Sequence, residues 1–472
     1  MSDAEALAPG PPARRAERGA RRAAPAAQSA RAVALDVLRR VEASEAYANL
    51  LLDARLGSGR LSAADRALAT ELSYGVLRWQ GRLDWILGHV LDRPIAALER
   101  TVRLTLRLGT YQACLLSRVP DFAIVHEAVE LVRRQGRREA AGFVNAVLRA
   151  VIRWRDRGEP GPPEGSLEYW STVGSHPRWL VERWATQLGP AEAGSLMAAN
   201  NAIPPITVAV NVLRAAPAAV RESLAGTVPE VTPGRFAPEI LSVRGAGRVA
   251  DLPGFREGWL VPMDEAGALP VLALDPQPGE DVLDACAGGG GKSALLGARV
   301  GARGEVVALD SSPRAIRRLE EAKRRLGLDM VRPRLGDARA AGSLWDSRFP
   351  RVLLDAPCTG LGTVRRRPEI KWRRAPAVPG RAAAVQDALL DGVAAAVAPG
   401  GVLVYSTCSL EPEETDAVAA RFLAAHPEFR PDDIPAVSGG LRVLAAGPGV
   451  LRAWPHRHGT DGFYVLRLRR ET

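Results

Sequence analysis

Residues 281–293 read Asp281-Val-Leu-Asp284-Ala-Cys286-Ala287-Gly288-Gly289-Gly290-Gly291-Lys292-Ser293. A short apolar run ends on an acid, meets four glycines and opens a helical pattern. Glycines there let the backbone approach a ligand closely, and the first amides of the following helix favour negative charge. A nucleotide-phosphate loop needs glycine five positions before Gly291, where Cys286 stands, so that reading fails. The dinucleotide fingerprint is weak as well. What remains is a nucleoside-bearing ligand without a triphosphate.

Working outward, four more short apolar runs follow, at 305–310, 331–335, 351–355 and 401–407. Amphipathic helices are expected between them, notably over 313–326 and 381–397. Strand, helix, strand at this spacing predicts right-handed crossovers in a mostly parallel, Rossmann-like α/β sheet. A C-terminal hairpin over 450–454 and 462–468 closes it. Such a sheet binds its ligand at the carboxyl ends of its strands. The second strand ends at Asp310, about twenty residues past the glycines, where an acid can take a ribose diol. The third leads into Asp337. Either acid alone also reads as a helix cap or turn residue.

The fourth strand runs into Asp355-Ala-Pro-Cys358-Thr-Gly and the fifth into Tyr405-Ser-Thr-Cys408-Ser. Two cysteines therefore close two parallel strands, whereas Cys114, in an apolar helix, reads as packing. A thiol in a cleft invites covalent catalysis. Carbon 5 of a pyrimidine is too weak a nucleophile to take a methyl group unaided. A thiolate adding at C6 makes C5 enamine-like, and a carboxyl group such as Asp355 at the base's N3/N4 edge stabilises the adduct. Either cysteine could attack.

Taken together, Asp284 to Ser293, Asp355-Ala-Pro-Cys358, Arg367-Pro-Glu-Ile-Lys371-Trp372, Tyr405-Ser-Thr-Cys408-Ser409 and Thr460-Asp-Gly-Phe463 resemble the successive motifs of the NOL1/NOP2/Sun family of RNA cytosine-C5 methyltransferases. Upstream, Glu71-Leu-Ser-Tyr-Gly-Val-Leu-Arg78, Leu108-Gly-Thr-Tyr-Gln112, Arg118-Val-Pro-Asp-Phe-Ala123 and Gly142-Phe-Val-Asn-Ala-Val-Leu-Arg149 resemble a NusB-like RNA-binding domain. The resemblance implies S-adenosyl-L-methionine as cofactor and, from this domain order, 16S ribosomal RNA as partner. It further implies Cys408 as nucleophile, Cys358 as the group assisting product release, and Asp355 near the methionine moiety and the target base. Cys286, Ala287, Gly288 to Gly291 and Lys292 would hold the donor, with Asp310 at its ribose and Asp337 at its adenine end. Arg367 and Lys371 are expected to contact RNA phosphate or orient the cleft, although a surface lysine is the plain alternative for Lys371.

Three positions depart from the family pattern. Gly288 and Gly289 replace an Ala-Pro pair, each at about 0.5–1 kcal/mol in chain entropy, so a floppier donor loop is expected. Met263 stands where Gln is usual, which removes a polar donor contact, and Thr415 where Asn is frequent.

The rest of the chain is less specific. Its 472 residues suffice for about three domains. These read as a disordered basic tail over 1–29, a helix bundle over 30–155, a Pro/Gly linker over 156–170, a small α/β connector over 171–255 and the methyltransferase domain over 256–472. Without a run of 18 apolar residues there is no membrane span. Four scattered cysteines exclude a disulfide framework and a zinc knuckle, and point to a reduced cytoplasmic location. A monomer is expected. Lys and Arg total 63 against 53 acids, a net +10 that suits a polyanion; only Lys292, Lys323 and Lys371 are lysines. Arg100, Arg103 and Arg107 share one helix face, and Arg149 and Arg153 repeat the spacing; each set is either a solvated face or an RNA surface, with Arg103, Arg107 and Arg149 the RNA candidates. A transfer-RNA methyltransferase, or an RNA-binding assembly factor without turnover, stays open beside the ribosomal enzyme.

Overall fold

The computed structural model describes residues 29–57, 61–158, 160–435 and 439–472. The expected tail lies, but for Ser29, outside these. No helix among the described residues is long and apolar enough to cross a membrane.

The first third is a helix bundle built around one central helix, Arg100–Leu115. Its Leu104, Leu108 and Tyr111 pack with Val33, Val37 and Leu72. Leu106 and Ala113 face the opposite way, onto Ile124, Val125 and Leu148. Two sides of one helix thus serve two cores, and the carboxylate of Glu99 caps its first amides at 2.8 and 3.1 Å. Gly109 lets the helix Ala141–Arg157 approach, since a Cβ there would lie 2.6 Å from Leu148. That helix stops at Gly158, in a left-handed turn with φ 65°.

Helices Arg178–Leu188 and Pro190–Asn201 lead into a small antiparallel sheet. Its strands are β1 (Ile206–Val210), β2 (Glu230–Pro233), β3 (Ile240–Arg244) and β4 (Leu260–Pro262), in the order β2-β3-β1-β4. The connector therefore runs past residue 255. β4 is too short to read as a strand by itself and is defined only by pairing with β1.

The C-terminal domain holds β5 (Asp281–Asp284), β6 (Glu305–Asp310), β7 (Val331–Leu335), β8 (Phe349–Asp355) and β9 (Val397–Thr407), then β10 (Phe429–Pro431), β11 (Ala445–Gly447), β12 (Val450–Ala453) and β13 (Phe463–Arg470). The order is β11-β12-β13-β9-β8-β5-β6-β7, with β10 beside β13. β5 to β9 are parallel, and β13 returns antiparallel on β9. Alternate residues serve two cores: Val282, Val306 and Val404 face the helices Gly291–Val300 and Pro313–Leu326, while Leu283, Val307 and Tyr405 face Val378–Ala394. The last helix starts and ends three residues earlier than its apolar period suggests. Its alanine-rich end runs on into a turn, and Val397 pairs with Phe349 to begin β9. Chain order reverses between β5 and β8, so their carboxyl ends open the crevice that such a sheet uses for ligands.

Candidate active site

The four glycines sit where β5 turns into Gly291–Val300. Gly288 (φ 57°) and Gly290 (φ 84°) both hold left-handed backbone, and nothing lies within 4 Å of a Cβ built on Gly288 or Gly289. The loop thus presents bare backbone to open space. It is also pinned: the Gly288 amide donates to Asp310 Oδ2 at 2.8 Å and the Ala287 amide to the Leu309 carbonyl at 2.9 Å. The glycine for which extra freedom was expected is therefore the one whose conformation disfavours any other residue. Met263 packs against the core and lies over the start of the helix, 3.2 Å from a Cβ at Gly291. Thr415 is buried and donates to the Glu411 carbonyl at 3.0 Å.

From this loop Lys292 reaches across to β8, its Nζ 2.5 Å from Asp355 Oδ2; Ser406 on β9 donates to the other carboxylate oxygen at 2.9 Å. Burial works against the Lys292 charge, but Asp355 outweighs it and holds the ammonium above its ordinary range. Asp284 at the end of β5 is fully buried, with one oxygen taking the Ser293 hydroxyl at 2.7 Å and the other without a partner. Burial raises its pKa to about 7.

Beyond β8 and β9 the two cysteines meet, Cys358 Sγ lying 3.1 Å from Cys408 Sγ with both thiols free. The contact holds Cys408 below the ordinary thiol range against its burial, helped by Arg367 and Lys292. The same contact, with burial, drives Cys358 well up. The two sulfurs are thus driven in opposite directions, Cys408 towards the thiolate and Cys358 towards the thiol. The remaining thiols are quiet: burial pushes Cys286 far up and Cys114 to about 11.

Asp310 and Asp337 both stand at strand ends on the glycine-loop side. Asp310 also caps the turn into Pro313–Leu326 through the Ser312 amide. Asp337 caps the following short turn and pairs with Arg339, whose hydrogen bond holds its carboxyl low.

Three RNA candidates are displaced by the structure. Lys371 is fully buried, its Nζ donating to the Arg78 carbonyl at 2.9 Å and to Asn201 Oδ1 at 3.0 Å. Next to it, Trp372 Nε1 donates to the Leu77 carbonyl at 2.7 Å. The helix Ala63–Arg78 ends there, and the end of a helix leaves carbonyls without intrahelical partners. The Pro-Glu-Ile-Lys-Trp motif satisfies them and so fastens the bundle to the catalytic domain. Arg107 is buried in a two-point bond to Asp84 at 2.7 and 2.8 Å, and Arg103 binds Glu42 at 2.9 Å. Both arginines thus meet acids on neighbouring helices. Arg149 is exposed and donates to Asn145 of its own helix at 3.1 Å. Arg367 lies over the Tyr47 ring at 4.7 Å.

Sequence reasoning passed over Glu414, which is fully buried and accepts from the residues that follow both cysteines, Thr359 and Ser409. Its signal was an acid at the close of Pro412-Glu-Glu414, directly downstream of the second cysteine.

Known proteins carry the same layout. Residues 271–469 match the family model for 16S rRNA methyltransferase RsmB/F, residues 28–153 that of the NusB family, and residues 176–250 that of the RsmF/B-like ferredoxin-like domain. The probable ribosomal RNA small subunit methyltransferase B of Bacillus subtilis is 37% identical over 452 residues, covering 94% of this chain and 99% of its own. Ribosomal RNA small subunit methyltransferase B of Erwinia tasmaniensis is 32% identical over 434 residues, 91% of this chain and 95% of its own. The crystal structure of PH0851 superposes with a TM-score of 0.80 at 28% identity, covering 93% of this chain and 98% of that one. With bundle, connector and catalytic sheet all matched in order, and near full-length identity above 30%, this chain belongs to the RsmB/F family of 16S rRNA methyltransferases.

Proposed function

We propose that the protein methylates C5 of a cytosine in 16S ribosomal RNA, through a covalent bond between Cys408 and C6 of the base. The observation that carries this is the sulfur pair: Cys408 lies 3.1 Å from the thiol of Cys358 and faces the cations Lys292 and Arg367.

S-adenosyl-L-methionine fits the crevice, because the bare loop at Gly288 and Gly289 leaves room beside the backbone and Asp284 directs an unpartnered buried oxygen. Bound there, it supplies an electrophilic methyl group. Gly288 to Lys292 and Asp310 would hold it, with Asp337 at its adenine end. The target cytosine leaves its stack to enter the crevice. The Cys408 thiolate adds to C6, and the electron pair of the C5–C6 double bond moves towards C5. Negative charge that builds on the N3/O2 side is balanced by Lys292. Asp355 has lone pairs left after its bonds to Ser406 and Lys292, and accepts from the N4 amino group. C5 would then take the methyl carbon as that carbon's bond to the donor sulfur breaks, the electron pair staying on the sulfur. Passage of the C5 proton to solvent water leaves the electron pair that restores the C5–C6 double bond and expels the Cys408 thiolate, and the Cys358 thiol, in contact with that sulfur, stabilises the leaving thiolate.

RNA phosphates would be met by arginines that form no ion pair among the described residues, Arg149 and Arg153 on the bundle and Arg314, Arg317, Arg318 and Arg324 on Pro313–Leu326, with Arg367 at the cleft. A soluble cytoplasmic monomer suits this work.

Incubation with labelled S-adenosyl-L-methionine and unmethylated 16S RNA tests the reading. Label should appear at C5 of one cytosine, Cys408→Ala should abolish transfer, and Cys358→Ala should accumulate a covalent protein–RNA adduct. Adduct formation by Cys408→Ala instead would reverse the two roles, and absence of transfer by the unaltered protein would remove the function.

A further inference from the structure

Glu414 closes the short turn Pro412–Glu414 and is fully buried. Its Oε1 accepts from the Thr359 amide at 2.8 Å and from Gln386 Nε2 at 3.1 Å; its Oε2 accepts from the Thr359 and Ser409 hydroxyls, both at 2.5 Å. The Glu414 carbonyl takes the Tyr405 hydroxyl at 2.7 Å, and Gln386 Nε2 also reaches the Pro357 carbonyl at 3.0 Å. Thr359 follows Cys358 and Ser409 follows Cys408. One carboxylate therefore grips the neighbour of each cysteine, and a residue next to a fixed one has its Cα held at about 3.8 Å from it. Four donors converge on one carboxylate: the Thr359 amide and Gln386 Nε2 can only donate there, and the two hydroxyls bond it with a charge assistance that a neutral amide would not give.

We propose that Glu414 is a positioning residue that sets the contact between the Cys358 and Cys408 sulfurs by bracing Thr359 against Ser409. Gln386 and Tyr405 hold the brace in turn. In Glu414→Gln the Thr359 and Ser409 hydroxyls would have to turn and accept from a neutral amide, losing their charge-assisted bonds; the loops separate, and Cys408 loses the hydrogen bond that favours its thiolate.

The inference rests on reading Cys408 as the nucleophile, yet its test needs neither donor nor RNA, so the two fail separately. The full-length protein is treated with iodoacetamide across pH 5–10, and alkylation at Cys408 is followed by peptide mass spectrometry. Glu414→Gln should move the midpoint at Cys408 upward by about one pH unit and slow alkylation at pH 7 about tenfold. Losing a nearby negative charge would by itself move the midpoint down, so the sign separates bracing from simple electrostatics. In a Cys358→Ala background, where the contact is already gone, Glu414→Gln should add no further shift. Ser409→Ala, which removes one leg of the brace, should shift the midpoint the same way by less, and serves if Glu414→Gln does not fold. An unmoved or lowered midpoint, or an equal upward shift in the Cys358→Ala background, overturns the proposal.

Discussion

At the end of β5, Asp284 keeps one oxygen bonded to Ser293 and the other bare inside the fold. A carboxylate stripped of water resists ionisation, and burial lifts this one to about 7. The folded protein therefore holds a proton there that the unfolded chain releases near pH 4, so stability from this group is present at low pH and is lost as pH rises from about 4 towards 7. Asp284→Asn removes the titration. Comparing thermal midpoints of the ligand-free proteins, the variant should gain on the parent as pH rises over that window, by at most about 1.4 kcal/mol per unit, and keep a constant margin above pH 7. A difference that is flat with pH from 4 to 8 would show Asp284 to be ionised throughout.

At the scale of elements, strands β5, β6, β8 and β9 were legible because each alternates between two buried faces, so an apolar run bounded by turn residues is the direct imprint of the sheet. The glycine loop and both cysteines were legible for the related reason that ligand contact falls at strand ends. Lys371 stood out too, as one of three lysines, but its partners Arg78 and Asn201 lie 293 and 170 residues away and belong to other domains. Nothing in the local sequence distinguishes a buried cation that caps another domain's helix from one that waits for phosphate. Glu414 escaped for a similar reason: its acidity reads as surface until the loops it joins are placed. The capping role of Lys371 predicts that Lys371→Met, similar in length but unable to donate, costs about 1–2 kcal/mol, because the Asn201 amide oxygen loses its donor and the Arg78 carbonyl keeps only the Ser175 hydroxyl. Urea denaturation should show the transition shifted or split, while the salt dependence of RNA affinity stays unchanged. A stable Lys371→Met with a weaker salt dependence would restore Lys371 to the RNA surface.

For the whole molecule, the question is where the net +10 is free to act. In the bundle part of it meets acids inside the fold: Arg100 and Arg103 on Glu42, Arg107 on Asp84, Arg155 on Asp121. By contrast, among the described residues Arg314, Arg317, Arg318 and Arg324 are exposed and form no ion pair, though Glu320 and Glu321 share their helix. From Arg314 to Arg324 the helix rises about 15 Å, long enough to follow two or three consecutive phosphates. It also starts just past Asp310, whose carboxylate pins the glycine loop, so its basic face begins at the rim of the crevice. Each phosphate neutralised releases condensed counterions, and the slope of log affinity against log salt counts them at about 0.7 per contact on single strands. Replacing the four arginines together by glutamine should therefore lower the slope for a 16S RNA fragment by about 3 units, and weaken binding at moderate salt while leaving binding at high salt nearly unchanged. Arg149→Gln with Arg153→Gln should lower it by about 1 to 1.5. Fluorescence anisotropy between 50 and 300 mM salt reads both, and the ratio of the two losses divides the electrostatic footprint between bundle and catalytic domain. If the fourfold variant keeps the parental slope, that helix is only a solvated face, and the RNA must approach the crevice over the bundle.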